Sequence, residues 1–234
     1  MNHRTIGAIV VFSSCLVAVA APGGEKNNAA KEALQELQEY VGGWKGNGTS
    51  ERDKTAIWKE NAAWSWKFKG DDAWLTVKFT SGKEFTQGEL RYDADKKKYK
   101  LTVKDKKDDE KTFEGELKKG YLTLDRVDPK TGETQRLMMN TAAGGIRFVY
   151  SLQRKPKGTT FFTKLYQVES GKEGESLAGG GKDRECVVTG GKGTIEVSYK
   201  GKTYYVCCSG CRDAFNENPE KILKEYAERK KKDK

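Results

Sequence analysis

The sequence contains a single histidine, His3, among its 234 residues. His3 stands in an N-terminal segment that we expect to be removed from the mature chain. Without an imidazole, Cys–His and Ser–His catalysis is excluded, and we predict no enzymatic activity. Any soft metal ion in the mature protein would have to be bound mainly by cysteine thiolates.

The sequence also lacks an apolar run long enough to span a membrane, which needs roughly 20 residues. The longest apolar stretch, Thr5–Val19, follows a basic start and leads into Ala18-Val19-Ala20, a pattern typical of signal peptidase sites. We therefore predict a signal peptide at residues 1–20 and an exported protein, periplasmic or extracellular, without a transmembrane span. Cys15 is a poor lipidation site, because Phe12 stands where an aliphatic residue is expected.

Blocks of a single charge sign are scarce, although the formal net charge is +10. Lysines alternate with acidic residues in stretches such as Asp93–Lys98 and Lys104–Lys111, a pattern typical of solvated turns. We predict no nucleic-acid partner. The excess positive charge would instead favour contact with an anionic surface.

Hydrophobic periodicity predicts a helix followed by many strands. Apolar residues at three- and four-residue steps predict an amphipathic helix over Lys31–Tyr40, ended by Gly42-Gly43. From about Thr55 to Val168 the apolar period becomes two, and turn signals separate about eight to ten antiparallel strands. A meander of this length normally closes into a barrel, because closure removes exposed edges. We predict an up-and-down β-barrel domain over residues 29–168.

The start of this domain, Tyr40–Thr49 with its Gly43-Trp44 pair, resembles calycin barrels of the lipocalin and nitrobindin group. The resemblance implies that the Gly-x-Trp segment closes the barrel base. Haem binding is not implied, because nitrobindins use a histidine that this barrel lacks. All five tryptophans lie between Trp44 and Trp74. They could fill the core, or they could line a cavity for a small apolar ligand.

A glycine-rich stretch at residues 169–182 predicts a flexible linker between two independent domains. After it, residues 183–228 predict a small α+β domain with a hairpin that turns at Lys200-Gly201. Asn218-Pro219 is typical of a helix start. A domain of about 50 residues is near the limit of stability by burial alone, so it needs a metal or disulfide staple. We predict a basic tail at residues 229–234.

Four cysteines could form the metal site or the disulfide that this domain needs. Cys186 is followed after twenty residues by Cys207, and Cys211 follows after three more. Three sulfurs meet if a hairpin fills the long gap and a helix begins at its end. Cys208 is adjacent to Cys207, so its side chain should point to the opposite side, where it either packs or acts as a ligand.

The run from Glu185-Cys186 through the Tyr199–Tyr205 hairpin and Cys207–Cys211 to Asn218-Pro219 resembles a YHS domain of the TRASH-like, treble-clef metal-binding class. The resemblance implies binding of copper or zinc through Cys186, Cys207 and Cys211. Val187 and Thr189 depart from the Cys-Pro-x-Cys pattern of many members, which leaves the fourth ligand open.

Three thiolates narrow the choice of metal to one Cu(I) or Zn(II) ion per chain. Structural Zn(II) normally takes four ligands, here completed by water, Asp213, Glu185, Cys208 or a partner. Cu(I) accepts a trigonal all-sulfur site, which makes copper the first choice. A metal-handling protein is a candidate partner.

Two other functions remain open at this point. Exported chains with four cysteines are often oxidised, so the protein could be a disulfide-stapled structural or adaptor protein. The barrel could instead carry a small apolar molecule. Cys208-Ser209-Gly210-Cys211 has the spacing of thiol oxidoreductases but lacks their βαβ setting.

Overall fold

A computed structural model describes residues 22–174 and 184–232. The predicted signal peptide and most of the predicted linker lie outside the described residues.

The chain begins with a helix, continues through ten long strands and ends with a small α/β unit. A short 3-10 turn, Gln38–Tyr40, joins the first helix to the first strand. The elements are α1 (Pro22–Gln35), β1 (Gly42–Ser50), β2 (Ile57–Lys69), β3 (Asp72–Thr80), β4 (Phe85–Asp93), β5 (Lys98–Asp105), β6 (Glu110–Lys118), β7 (Tyr121–Val127), β8 (Thr134–Ala142), β9 (Arg147–Lys155), β10 (Thr163–Lys172), β11 (Ile195–Tyr199), β12 (Lys202–Val206), α2 (Ser209–Glu217) and α3 (Pro219–Lys232).

The ten strands β1 to β10 form one closed antiparallel barrel in which each strand pairs with its neighbours in sequence. Closure is made by β1, which pairs with β2 on one side and with β10 on the other. Inward residues alternate with outward ones, as along β3, where Leu75 and Val77 are buried and Thr76 and Lys78 are not. The predicted mainly β fold, an up-and-down barrel followed by a small α+β unit, is confirmed.

Three boundaries differ from those that the sequence predicted. The helix covers Pro22–Gln35 instead of Lys31–Tyr40, because the last turn tightens into the 3-10 segment. The glycine-rich Gly42–Ser50 is a full strand, and a side chain at Gly48 would collide with the Trp58 ring. At the other end, β10 continues to Lys172 because it pairs with β1 as far as Trp44. The first residues of the predicted linker therefore belong to the barrel.

Aromatic and aliphatic side chains fill the barrel. Trp44, Trp64, Phe113 and Phe148 are almost fully buried. An apolar void between Trp64, Phe148 and neighbouring side chains measures about 10 Å³. That volume would hold about one water molecule. Trp44, Trp64 and Trp66 therefore act as core residues. An apolar ligand would require this interior to repack.

One carboxylate, Glu60, is buried inside the barrel. It accepts hydrogen bonds from the Tyr150 hydroxyl, the Trp58 indole N–H and the main-chain N–H of Lys83. These three donors offset the cost of removing the carboxylate from water.

The C-terminal unit has the elements that the sequence predicts. β11 and β12 pair antiparallel through a turn in which Lys200 and Gly201 both have positive φ, as a type I′ turn requires. Asn218 accepts a hydrogen bond from the main-chain N–H of Lys221 and so caps α3. The helix continues to Lys232, so most of the predicted basic tail is helical.

The C-terminal unit packs directly against the barrel, and the two share one buried cluster. A Cβ added at Gly210 in α2 would lie 1.7 Å from the carbonyl oxygen of Trp66 in β2. The Gln35 side chain donates to the Thr189 carbonyl, and the Trp66 indole donates to Gln38. This arrangement differs from the two independent domains expected from the linker composition, because composition does not report on surfaces that meet beyond the linker.

Among the described residues, no helix is long and apolar enough to cross a membrane.

Candidate metal centre

Cys186 is held by a tight loop that precedes the hairpin. Its main-chain N–H donates to the Gly191 carbonyl at 2.6 Å, and its carbonyl accepts from the Gly190 N–H at 2.8 Å. The loop is attached to the hairpin because the N–H of Val187 donates to the Tyr205 carbonyl at 2.9 Å. Gly190 has a φ of +79°, a conformation that glycine adopts without steric cost. The loop thereby turns the Cys186 side chain towards the end of β12.

The other cysteines lie where β12 gives way to α2. Cys207 and Cys208 follow the last residue of β12, and Cys211 is in the first turn of α2. Phe215, one helical turn later, is buried against Tyr204 of the hairpin. This apolar contact fixes the helix over the strand end. Cys211 is thereby held beside Cys207 and Cys186.

The sulfurs of Cys186, Cys207 and Cys211 all lie within 4.8 Å of one another, and all three residues are buried. The Cys207 and Cys211 sulfurs are 3.5 Å apart. Two sulfurs bound to one Zn(II) ion at about 2.3 Å in tetrahedral geometry would be about 3.8 Å apart. The Cys207–Cys211 separation is close to that value and the other sulfurs lie within 4.8 Å, so the three residues fit a thiolate-bound metal ion. They form no disulfide in this structure.

Cys208 lies beside this trio and on its barrel side. It is buried and close to Cys207 and Cys211, and its sulfur also meets the main chain of Trp66 in β2. It is not part of the three-sulfur group. The structure therefore places Cys208 between the metal centre and the barrel.

The pKa values of the thiols are shifted in opposite directions. Hydrogen bonds from Cys207 and then Cys211 lower the pKa of Cys186. The same contacts, led by Cys186, raise the pKa of Cys211, and burial adds to that rise. Cys186 is thus the most readily ionised member of the trio. A metal ion entering the site would displace protons from its neighbours.

Two polar residues support the trio. The Thr189 hydroxyl lies 3.5 Å from the Cys207 sulfur. The Arg229 guanidinium in α3 lies 3.2 Å from the Val187 carbonyl and 3.4 Å from the Cys186 carbonyl, and so joins the helix to the loop. The predicted basic tail, residues 229–234, included Arg229. Its spacing of seven and three residues after Ile222 and Tyr226 would have placed it on the packed face of the helix.

The two carboxylates considered as fourth ligands are engaged elsewhere. Asp213 is exposed and lies 3.4 Å from Arg212. Glu185 pairs with Arg229 at 3.6 Å and with Lys230. Within the described part of the chain, neither belongs to the sulfur cluster.

Comparison with known families identifies the C-terminal segment. Residues 190–227 match the YHS domain. The matched segment contains Cys207, Cys208 and Cys211, and Cys186 stands four residues before it. The YHS domain therefore supplies the hairpin, α2 and most of α3, and the preceding loop adds the remaining cysteine of the trio.

The other comparisons are weaker. No curated protein matches the chain. Among solved structures, the crystal structure of Rv2717c from M. tuberculosis is 15% identical, and the alignment covers 60% of this chain and 97% of that one, with a TM-score of 0.39.

Proposed function

We propose that this protein is a metal-binding accessory protein that holds one soft metal ion between Cys186, Cys207 and Cys211. The observation that carries the proposal is the convergence of three buried sulfurs within 4.8 Å, supplied by a loop, a strand end and a helix. Cysteines that only fill a hydrophobic core do not require their sulfurs to lie next to one another. The match to the YHS domain supports the same function.

Copper in the Cu(I) state is the first candidate, and Zn(II) is the second. Three thiolates satisfy the trigonal coordination that Cu(I) accepts. Zn(II) would need a fourth ligand, which Cys208 or water could provide after a small movement. The proposal includes no catalytic step. The chain's own residues hold and orient the ion.

Metal titration tests the proposal. Protein purified anaerobically under reducing conditions should bind one equivalent of Cu(I), measured by elemental analysis and competition with a chelator. Cys186→Ser should lose this binding because it removes a charged ligand. Ser198→Ala changes an exposed residue of the same hairpin and should bind as the parent does. A parent protein that binds no metal, or a Cys186→Ser variant that binds as tightly as the parent, would overturn the proposal.

The disulfide-stapled alternative makes a different prediction for the thiols. The proposed metal centre keeps all four cysteines of the mature chain reduced, as they are in the structure. Thiol titration of metal-free, denatured protein should therefore find four reactive thiols before any reductant is added. If two or four thiols appear only after reduction, a disulfide holds the fold.

We also propose that the protein is exported, on the basis of the basic start, the apolar middle and the Ala18-Val19-Ala20 site. Intact mass of protein from its native host should show a chain that begins at Ala21. Retention of Met1 would contradict export by this route.

A further inference from the structure

Cys208 is the one cysteine of the predicted mature chain that the proposed metal site does not use. It is buried beside Cys186, Cys207 and Cys211 but does not belong to the three mutually close sulfurs. All four of these cysteines are reduced in the structure. The role of Cys208 therefore depends on what its sulfur contacts.

The Cys208 sulfur contacts Cys211 in two ways. It lies within hydrogen-bond reach of the Cys211 sulfur, and it accepts a hydrogen bond from the Cys211 main chain. Cys208 is the N-cap residue of α2, and Cys211 follows in the first turn of that helix. Thiol oxidoreductases place the same Cys-x-x-Cys spacing in their redox-active pairs. The two residues thus have the local arrangement of a dithiol pair, although the βαβ setting of those enzymes is absent.

Exposure differs among the four cysteines. Cys186 and Cys211 are fully buried, whereas Cys207 and Cys208 keep 8% and 6% of their surface exposed. A small oxidant therefore meets Cys207 or Cys208 first. Cys208 is the better nucleophile of the two, because main-chain hydrogen bonds from Cys211 and Trp66 stabilise its thiolate form.

We propose that Cys208 and Cys211 form a reversible disulfide when a peroxide oxidises the metal-free protein. The disulfide switches metal binding off, because it withdraws Cys211 from the trio that holds the ion. This inference rests on the proposed function of the trio. A metal ion bound to Cys211 would protect that sulfur, so the switch controls loading of the empty site.

The oxidation has two steps. The Cys208 sulfur attacks one oxygen of hydrogen peroxide, the O–O bond breaks, and the Cys208 proton leaves with the second oxygen as water. The Cys211 sulfur then attacks the sulfenic acid at Cys208, an S–S bond forms as the S–O bond breaks, and the Cys211 proton completes a second water. The two thiols lose two electrons, which the peroxide gains. A thiol reductant reverses the change by exchange.

Thiol counting on metal-free protein tests the pair independently of any metal. Reduced mature protein is treated with one equivalent of hydrogen peroxide, denatured and titrated with a thiol reagent. The parent should fall from four thiols to two, whereas Cys208→Ser should keep its three. Cys208→Ala should behave like Cys208→Ser, and it guards against misfolding caused by a buried hydroxyl.

Cys186→Ser is the matched control, because it removes a cysteine of the same cluster that lies outside the pair. It should fall from three thiols to one. Loss of two thiols in both Cys208 variants, or of none in the parent or in Cys186→Ser, would overturn the pair.

Metal binding after oxidation tests the switch itself. The peroxide is removed, and each protein is titrated anaerobically with Cu(I) against a chelator. The oxidised parent should have lost its one equivalent of Cu(I) and should regain it after reduction and removal of the reductant. Oxidised Cys208→Ser should bind Cu(I) as its untreated form does. Unchanged binding by the oxidised parent would overturn the switch.

Failure of the proposed function gives a different result. If the untreated, reduced parent binds no Cu(I), the proposed function fails and the switch falls with it. The thiol counts still decide in that case whether Cys208 and Cys211 form the disulfide.

Discussion

At the residue scale, the four cysteines differ in position more than in chemistry. Three converge on one point, and Cys208 lies between that point and the main chain of Trp66. The sequence predicts that Cys208 points away from Cys207, but its sulfur stays within hydrogen-bond reach of Cys207 and Cys211 without joining the three mutually close sulfurs. The distinction between three ligands and four can therefore be measured by single substitutions.

Serine at Cys208 should weaken metal binding much less than serine at Cys186, Cys207 or Cys211. Loss of a supporting group near a metal typically costs about 10–100-fold in affinity, and loss of a ligand costs more. We expect Cys208→Ser to lose at most about 10–100-fold in metal affinity, and each of the other three variants to lose more. Competition titration with a Cu(I) chelator measures all four. An equal loss at all four positions would show a closed four-cysteine site.

Tyr150 should make the free energy of unfolding depend on pH in the alkaline range. Burial raises its pKa well above the usual value, and its hydroxyl donates to the buried Glu60 carboxylate. Above pH about 10 the unfolded chain loses this proton while the folded chain keeps it, so stability falls by about 1.4 kcal/mol per pH unit for this group. Chemical denaturation at pH 9 and pH 11 should show the decline. Tyr150→Phe should reduce the slope, whereas Tyr121→Phe, at an exposed position, should leave it unchanged.

At the element scale, the contact between α2 and β2 joins the metal centre to the barrel. β1 pairs with β2 only as far as Trp64, and the following residues of β2 meet the N-terminal turn of α2. Gly210 allows this approach because a side chain there would occupy the space of the Trp66 carbonyl. The helix therefore covers a stretch of strand edge that the barrel leaves unpaired.

Gly210→Ala should destabilise the protein although alanine favours helices by about 1 kcal/mol over glycine. Overpacking typically costs about 1–3 kcal/mol, and here the obstacle is main chain that cannot rotate away. After the helix gain is subtracted, the largest net loss is about 2 kcal/mol, and we expect the Tm of the metal-free protein to fall by about 4–8 °C. Gly171→Ala is the matched control, because its added Cβ would meet nothing within 4 Å. An unchanged Tm for Gly210→Ala would mean that the helix does not press on β2 in solution.

At the scale of the whole molecule, the barrel and the YHS domain form one buried cluster that includes the cysteines. Surface ion pairs such as Lys221–Asp71 also cross the boundary, although exposed pairs of this kind add little stability. The main connection is the apolar packing of α2 on β2. Metal occupancy should therefore affect part of the barrel as well as the YHS domain.

Hydrogen exchange with and without a chelator measures this coupling. Removal of the metal should lower amide protection in β11, β12 and α2, and also around Trp66 in β2. Protection in β6, whose neighbours in the barrel are β5 and β7, should stay unchanged. A chelator-treated Cys186→Ser variant controls for effects of the chelator itself. Loss confined to residues after Cys186 would restore the interpretation of two independent domains.

Local signals along the chain specify the helices and strands and the order in which they occur. Alternation of apolar and polar residues along strands such as β3 specifies which face is buried. Two further signals are local: the positive-φ turn at Lys200-Gly201 and the Asn218 cap of α3. Neither signal needs a partner far away in the sequence. The cysteine spacing likewise brings three sulfurs together through a hairpin and a helix start, which are both local structures. These features could be predicted because each depends on residues close in sequence.

The neighbours of the metal centre are set by long-range packing, which local sequence signals do not report. The contact of Gly210 with Trp66 joins residues far apart in sequence, and neither residue type alone indicates a partner. The same holds for Arg229, which meets the Cys186 loop only because α3 folds back over it. Long-range packing selects such contacts from many of similar energy, which is why a single sequence did not reveal them.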